Sequence, residues 1–235
     1  VTLQPEIFDA ASFKKWWDSV KKKMKADGHF QIPSKKSDPF VLLDVAVNPG
    51  RGFIDQFREA RHTKDQVAAL DQITKALGAL ADEVEELKSL ATQIEDTAQK
   101  GRKLQSAAAV EMLLVRDEIL SRHNALTPGP DAPTVADILV GEEFRLPALF
   151  ASLPASKHRK VLESFEKAFG DRWTDKALKL AQQANSRLVI EISKLFERVG
   201  KADVIHAALA RRISERSISS ETLIWLCKER GAGFS

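Results

Sequence analysis

Apolar and small residues recur at steps of three and four along a proline-free stretch from residue 63 to residue 123. This spacing places them on one face of an α-helix. Gly101 interrupts the pattern, and a second stripe follows it. The stretch therefore predicts two long helices folded back on each other as a hairpin, and a single bent rod is the alternative. The two stripes consist of Val67, Leu70, Thr74, Leu77, Ala81, Val84, Leu87, Ala91, Ile94 and Ala98, then Leu104, Ala108, Met112, Val115 and Ile119.

The chain before this stretch predicts two shorter helices on either side of an extended segment. Residues 7–24 carry apolar side chains along one side of a helix that ends at Asp27-Gly28. Residues 29–47 contain two prolines, which forbid a continuous helix. Their apolar second half predicts a short buried strand or an extended segment packed on helices. Residues 52–61 then predict a short helix.

A segment rich in proline and glycine divides the chain. Residues 125–134, ALTPGPDAPT, hold three prolines and one glycine, which is the composition of a linker. We therefore predict an N-terminal helical region at residues 1–126, a linker at 127–133 and a second domain of short helices at 134–235.

The second domain shows a succession of short helices with recognisable ends. Thr134 and Asn185 are predicted N-caps, Gly200 a residue that ends a helix, and Ser219 or Ser220 the cap of the last helix. Short helices joined by short turns are typical of helical-repeat arrays, but no fixed period appears, so an irregular bundle stays open. The fold class we predict is all-α: a long helical hairpin plus a repeat-like array of short helices, with one short extended segment near residues 29–47.

Composition bounds the class of protein. The 235 residues are 43% hydrophobic and 29% charged, which supports a packed core and argues against global disorder. The 36 basic residues nearly balance the 33 acidic ones, for a net charge of +3, so total charge does not argue for nucleic acid. No apolar run has the length of a membrane span. One cysteine and the lack of a signal-peptide pattern lead us to expect a cytoplasmic protein without disulfides or membrane contact.

The candidate chemistry is weak. The five histidines do not occur at zinc-ligand spacings, and Cys227, on an apolar helix, predicts a buried structural thiol. Acidic residues cluster at 82–86 and at Glu142-Glu143, which indicates solvated faces and a helix start rather than a metal site. No phosphate-binding loop, serine elbow or dinucleotide fingerprint occurs. We therefore expect no catalytic residue, no metal, no cofactor and no enzymatic activity.

Basic residues form local clusters that predict partner or nucleic-acid contacts. The first cluster lies beside Trp16 and Trp17, a combination that binds phosphates and stacks bases. The alternative is that these lysines are merely solvated and that the tryptophans, pointing to different sides, anchor the helix on the core. The candidate contact residues are Lys14, Lys15, Lys21, Lys22, Lys23, Lys25, Lys35, Lys36, Lys157, Arg159, Lys160, Arg211 and Arg212.

Residues 12–44, SFKKWWDSVKKKMKADGHFQIPSKKSDPFVLLD, resemble a segment of the long Gre-family transcription elongation (transcript cleavage) factors of bacteria. The shared pattern is a tryptophan pair in a lysine-rich helix, then an aspartate, an aromatic, an isoleucine-proline and a basic loop. Residues 50–73 and 218–230 continue the resemblance. It implies a helical N-terminal extension that contacts RNA polymerase or an associated factor.

The catalytic parts of that family have no counterpart in this sequence. The resemblance would lead one to seek a coiled coil with an acidic tip, yet the turn around Gly101, QKGRK, is basic. The expected function is thus a non-catalytic helical interaction module of a transcription-associated bacterial protein. Two alternatives remain: a protein similar to type III secretion gatekeepers, and a nucleic-acid-binding module that uses the basic and aromatic residues 14–36. The oligomeric state stays open.

Overall fold

The computed structural model describes residues 9–31, 39–44, 48–122, 128–129 and 131–230. Helices account for most of them, and the described strands are two residues long each, so the predicted all-α class is confirmed. The chain forms two compact units, Val1–Leu90 and Ala91–Ser235. The boundary falls inside a helix, and the predicted linker at 127–133 lies within the second unit. The domain division at that linker stays a prediction.

The first unit combines a lysine-rich helix, a small antiparallel hairpin and a pair of packed helices. In the hairpin Phe30 pairs with Leu42 and Gln31 with Val41. This confirms extended structure in the described part of the 29–47 segment. Its elements are α1 (Ala10–Asp27), β1 (Phe30–Gln31), β2 (Val41–Leu42), α2 (Pro49–Glu59), α3 (Thr63–Ala76) and the start of α4 (Val84–Gly101).

The core of the first unit lies between α2 and α3, which pack along their length and are joined by residues 60–62. Ile54 and Phe57 of α2 are buried against a row of leucine and isoleucine side chains that follows the helical period. Helix α1 contacts α2 and β1. The buried row consists of Leu70, Ile73, Leu77, Leu80 and Leu87.

The long central stretch consists of three helices, not the two that the sequence predicts. A turn ends α3 at Leu77, and α4 begins only at Val84. The turn is held from a distant part of the chain, because the Asn48 side-chain amide donates to the carbonyl of Ala79. Leu80 fills the space above Gly50. Tertiary packing therefore interrupts a stripe that looks continuous in the sequence.

The second unit begins inside α4, at Ala91, and includes α5 (Ser106–Arg122). These two helices correspond to the arms of the predicted hairpin. Helix α4 turns at residues 102–105 into α5. The buried Arg116 of α5 donates through Nη1 to Glu95 Oε1 of α4, at 2.9 Å, and through Nε to Asp117 Oδ1, at 2.8 Å. A buried guanidinium needs such partners. Asp117 belongs to α5 itself, so it is the pair with Glu95 that connects α5 to α4.

Short helices follow the hairpin, as the sequence predicts. They are α6 (Val135–Gly141), α7 (Leu146–Ser152), α8 (Ala155–Leu162), α9 (Phe165–Phe169), a 3₁₀ turn (Gly170–Arg172), α10 (Trp173–Gln183), α11 (Ser186–Arg198), α12 (Ala202–Ser214) and α13 (Ser220–Arg230). Their core is rich in aromatic rings: Phe150, Phe165, Phe169, Trp173 and Phe196.

The predicted helix ends of the second unit are confirmed. Thr134 forms a reciprocal capping box with Asp137, and the Asn185 side chain accepts from the backbone N–H of Leu188 at 3.0 Å. Gly200 follows α11 with φ +73°, a left-handed conformation that favours glycine. Ser219 rather than Ser220 caps the last helix. In contrast, Cys227 is exposed, so the expectation of a buried thiol is wrong.

We predict opposite effects for alanine at two glycines of α2. A Cβ at Gly50 would lie 2.6 Å from Leu80 Cγ, whereas a Cβ at Gly52 would meet nothing within 4 Å. Gly52→Ala should stabilise the protein by roughly 0.5–1 kcal/mol through helix propensity. Gly50→Ala should destabilise it by about 1–2 kcal/mol through overpacking. Urea unfolding measures both, and equal effects would contradict the close approach of Leu80.

The capping box of α6 predicts a pH-dependent stability. Hydrogen bonds from the Thr134 side chain and backbone hold the pKa of Asp137 below its usual value. A lowered folded pKa means that the carboxylate stabilises the fold above its unfolded pKa and loses this effect as pH falls through the folded pKa. Asp137→Asn should cost about 0.5 kcal/mol at pH 7, because exposure screens the interaction.

The measurement is the free energy of unfolding of wild type and Asp137→Asn from neutral to acidic pH. The difference between them should vanish below the folded pKa. Asp131→Asn, an exposed aspartate just before the helix, is the control and should leave the profile unchanged. If the difference in free energy of unfolding between wild type and Asp137→Asn persisted at acidic pH, the charge of Asp137 would not be the source of its stabilising effect.

Candidate interaction surface

Helix α1 presents its apolar side chains in one cluster. The carboxylate of Asp9 accepts from the backbone N–H and hydroxyl of Ser12 at 2.9 and 2.7 Å, and so caps the helix start. Gly28, with φ +81°, follows its end. Between these ends the apolar side chains are all half-buried: Phe13, Trp16, Trp17, Val20 and Met24.

The two neighbouring tryptophans belong to the same aromatic cluster. Phe13 lies between them, since it precedes Trp16 by three residues and Trp17 by four. Its ring centroid is 5.8 Å from that of Trp16 and 6.2 Å from that of Trp17, whose plane is nearly parallel to it. The Trp16 and Trp17 centroids are 6.0 Å apart. The expectation that the two rings point to different sides is therefore wrong, while their role in anchoring the helix stays a prediction.

Strand β2 extends this cluster with exposed apolar residues. The Phe40 ring contacts Trp17 edge-on at 5.6 Å. Phe40, Val41 and Leu42 are 41%, 44% and 69% exposed. The apolar run in which they occur predicted a short buried strand or an extended segment packed on helices. Burial is wrong for these residues, whereas the contact of Phe40 with Trp17 of α1 agrees with the second alternative. We call Trp17 together with Phe40, Val41 and Leu42 the hairpin patch.

Lysines flank the aromatic cluster. Lys14, Trp17 and Lys21 follow each other at i, i+3 and i+7, so they share one stripe of α1. Lys21 pairs with Asp18 at 2.8 Å and, with Lys14, lowers the pKa of that carboxyl. Lys14, Lys15 and Lys23 are exposed, and the described residues record no ion pair for them. Lys22 and Lys25 also belong to α1, whereas Lys35 and Lys36 lie outside the described residues.

The basic cluster at residues 157–160 has a different environment. Arg159 pairs with Glu163 at 3.3 Å, and Lys160 with Glu118 at 2.5 Å. Hydrogen bonds from Lys160 and Arg122 hold the pKa of Glu118 below its usual value. Lys157 is half-buried. These cations are engaged within the second unit, so less of their charge is available to a partner.

The basic pair at residues 211–212 is also engaged in the fold. Arg211 pairs with Glu215 at 2.7 Å. Arg212 donates to the carbonyls of Ala181 and Ser217 at 2.9 and 3.0 Å, and so closes the last turn of α10. Among the predicted contact residues, Lys14, Lys15 and Lys23 are therefore exposed on the helix that carries the aromatic cluster, while those of the second unit stabilise local structure. Whether any of them contacts a partner stays a prediction.

Titratable residues elsewhere have structural partners. The buried His158 donates through Nε2 towards the carbonyls of Phe150 and Leu153, at 3.0 and 3.3 Å, and thereby caps the end of α7. Glu143 pairs with Lys176 and Arg172. Other acids of the two clusters pair likewise: Glu83 with Arg51, Glu86 with Arg58 and Glu142 with Arg145. In the described ranges no three His, Cys, Asp or Glu residues form a group that could hold a metal ion.

Comparison with protein families supports a binding role for the N-terminal segment. Residues 1–47 match the model of the GRAD helix-turn-helix domain, a helical domain type that binds DNA or protein. The matched residues include α1, β1 and β2, and therefore the whole hairpin patch. No curated protein and no solved structure matches the chain. None of the described helices combines the length and hydrophobicity needed to cross a bilayer.

Proposed function

We propose that this chain is a non-catalytic helical interaction module of a transcription-associated bacterial protein. Its partner is RNA polymerase or an associated factor, and the contact surface is the hairpin patch with the lysines of α1. The observation that carries this proposal is the exposed apolar run of β2 beside a half-buried aromatic cluster. A cytoplasmic location belongs to the same proposal, since the transcription machinery of bacteria lies there.

The chemistry of the surface favours a protein partner. Single exposed apolar residues are ordinary, but Phe40 and Leu42 lie on the same face of the extended segment, since successive residues alternate between its two faces. Together with Trp17, which Phe40 contacts, they form an apolar cluster of the kind that marks interfaces. Large aromatic residues at the centre of such patches supply most of the binding energy. Exposed lysines at the rim add a positive potential, so the complementary partner carries an apolar centre and acidic residues around it.

The link to transcription rests on two comparisons that coincide in the sequence. The resemblance to Gre-family extensions covers residues 12–44, and the helix-turn-helix match covers residues 1–47. Both include the surface that the geometry singles out. The non-catalytic part of the proposal draws support from the pairing of acids with bases and from the structural role of His158.

We predict that Leu42→Asp weakens binding to purified bacterial RNA polymerase by at least about tenfold, because a charge at the centre of an apolar interface must be desolvated. The side chain is 69% exposed, so the fold should survive, as circular dichroism will check. Leu104→Asp is the matched control, since Leu104 is 91% exposed in the turn after α4. Biolayer interferometry measures the affinities, and equal affinity of the two variants would argue against this surface.

Nucleic acid is the second candidate partner, favoured by the stripe of Lys14, Trp17 and Lys21. In proteins that bind single strands without sequence preference, positive side chains attract the phosphates and neighbouring aromatic rings stack on the bases. Binding of nucleic acid depends more on the lysines of α1 than on the apolar residues of the hairpin patch. The two candidates therefore respond differently to the same substitutions.

We predict for this second function that the double variant Lys14→Glu and Lys21→Glu loses affinity for single-stranded RNA. Each lost phosphate contact lowers the dependence of log K on log salt by about 0.7, so the slope should fall by about 1.4. Lys64→Glu with Lys75→Glu makes the same charge change on exposed lysines of α3 and should leave binding nearly unchanged. Fluorescence anisotropy over a salt series measures both, and identical slopes would exclude α1 as the binding site.

A further inference from the structure

Helix α13 is apolar on both of its sides. Thr222 and Leu226 are buried where α13 packs on α11. On the other side Leu223 and Ile224 are 40% and 54% exposed, and Cys227 is exposed as well. Apolar side chains that are exposed next to one another mark an interaction surface. In the part of the chain that the structure describes, the outer side of α13 is therefore an uncovered apolar stripe.

One acidic and one basic residue lie beside this apolar surface, the acid near the start of α13 and the base near its end. At 100° per residue, Leu223, Ile224 and Cys227 form one stripe. Glu221 and Lys228, at i and i+7, lie together along one edge of that stripe, roughly 10 Å apart along the axis. Both are exposed, and the described residues record no ion pair for either.

We infer that the outer side of α13 binds α13 of a second copy of this chain in an antiparallel pair. A two-fold axis next to Ile224 brings Glu221 of each copy opposite Lys228 of the other, so both ends of the pair are complementary in charge. In a parallel two-fold pair the charged edges of the two copies would lie on opposite sides of the interface, so Glu221 and Lys228 would not meet. The interface is isologous, as in most soluble dimers.

The size of this surface sets the strength of the association. Helix α13 has 11 residues, and a single pair of such helices buries less than the roughly 1,200 Å² of a standard stable interface. The dimer is therefore weak and depends on concentration. Its surface is separate in sequence from the hairpin patch, so the inference stands or falls independently of the proposed function.

The first test is the molar mass of the full chain by sedimentation equilibrium with reductant present, so that Cys227 cannot cross-link the copies. Wild type should pass from monomer to dimer between about 5 µM and about 1 mM, the range expected for a small interface. Ile224→Asp should stay monomeric throughout. The control Val140→Asp, a 49% exposed residue of α6, should dimerise like wild type. If wild type stays monomeric up to the highest concentration tested, α13 does not bind a second copy and the inference is overturned.

A charge exchange tests the antiparallel register. Glu221→Lys and Lys228→Glu should each weaken the dimer about tenfold, because each creates two repulsive pairs. The double variant should return to within about threefold of wild type. Both substitutions oppose the helix dipole, and the double variant keeps both penalties, so recovery reports the contact between copies. Failure of the double variant to recover would overturn the antiparallel pair.

Discussion

The fold depends on each helix burying one apolar stripe, because helices of this length gain most of their stability from tertiary packing rather than from intrinsic propensity. In the first unit that requirement is met by α2 and α3, where Ile54 and Phe57 meet Leu70 and Ile73. In the second unit a series of aromatic rings does the same for several short helices. Where an element exposes further apolar side chains outside its packed stripe, those side chains form a candidate binding surface.

The charged side chains sort into two groups by their surroundings. Arg116, Lys160 and Arg212 are held by carboxylates or carbonyls within the second unit, and their charge contributes to the fold. Lys14, Lys15 and Lys23 are exposed on α1, the helix that carries the aromatic cluster. The distinction rests on three-dimensional neighbours, since all of these residues look alike as basic clusters in the sequence.

The N-terminal segment unites the functional observations. The helix-turn-helix match, the hairpin patch and the first segment of the resemblance to Gre-family extensions all fall on residues 1–47. A surface that combines exposed apolar side chains with a lysine rim needs no catalytic group, since binding alone uses its chemistry. The outer side of α13 has the same apolar character but carries both charge signs, which makes it complementary to itself.

Local signals made much of the fold predictable from the sequence. The helical period predicted the all-α class, and Thr134, Asn185 and Gly200 marked helix ends because caps depend on hydrogen bonds or backbone angles within a few residues. The lysines and tryptophans of α1 were also recognisable as a candidate site. What only the tertiary structure decided was the break after Leu77, the exposure of Phe40, Val41 and Leu42, and the exposure of Cys227. These depend on contacts between distant residues, such as Asn48 with Ala79, and on which of two apolar sides finds a partner, and no local pattern encodes either.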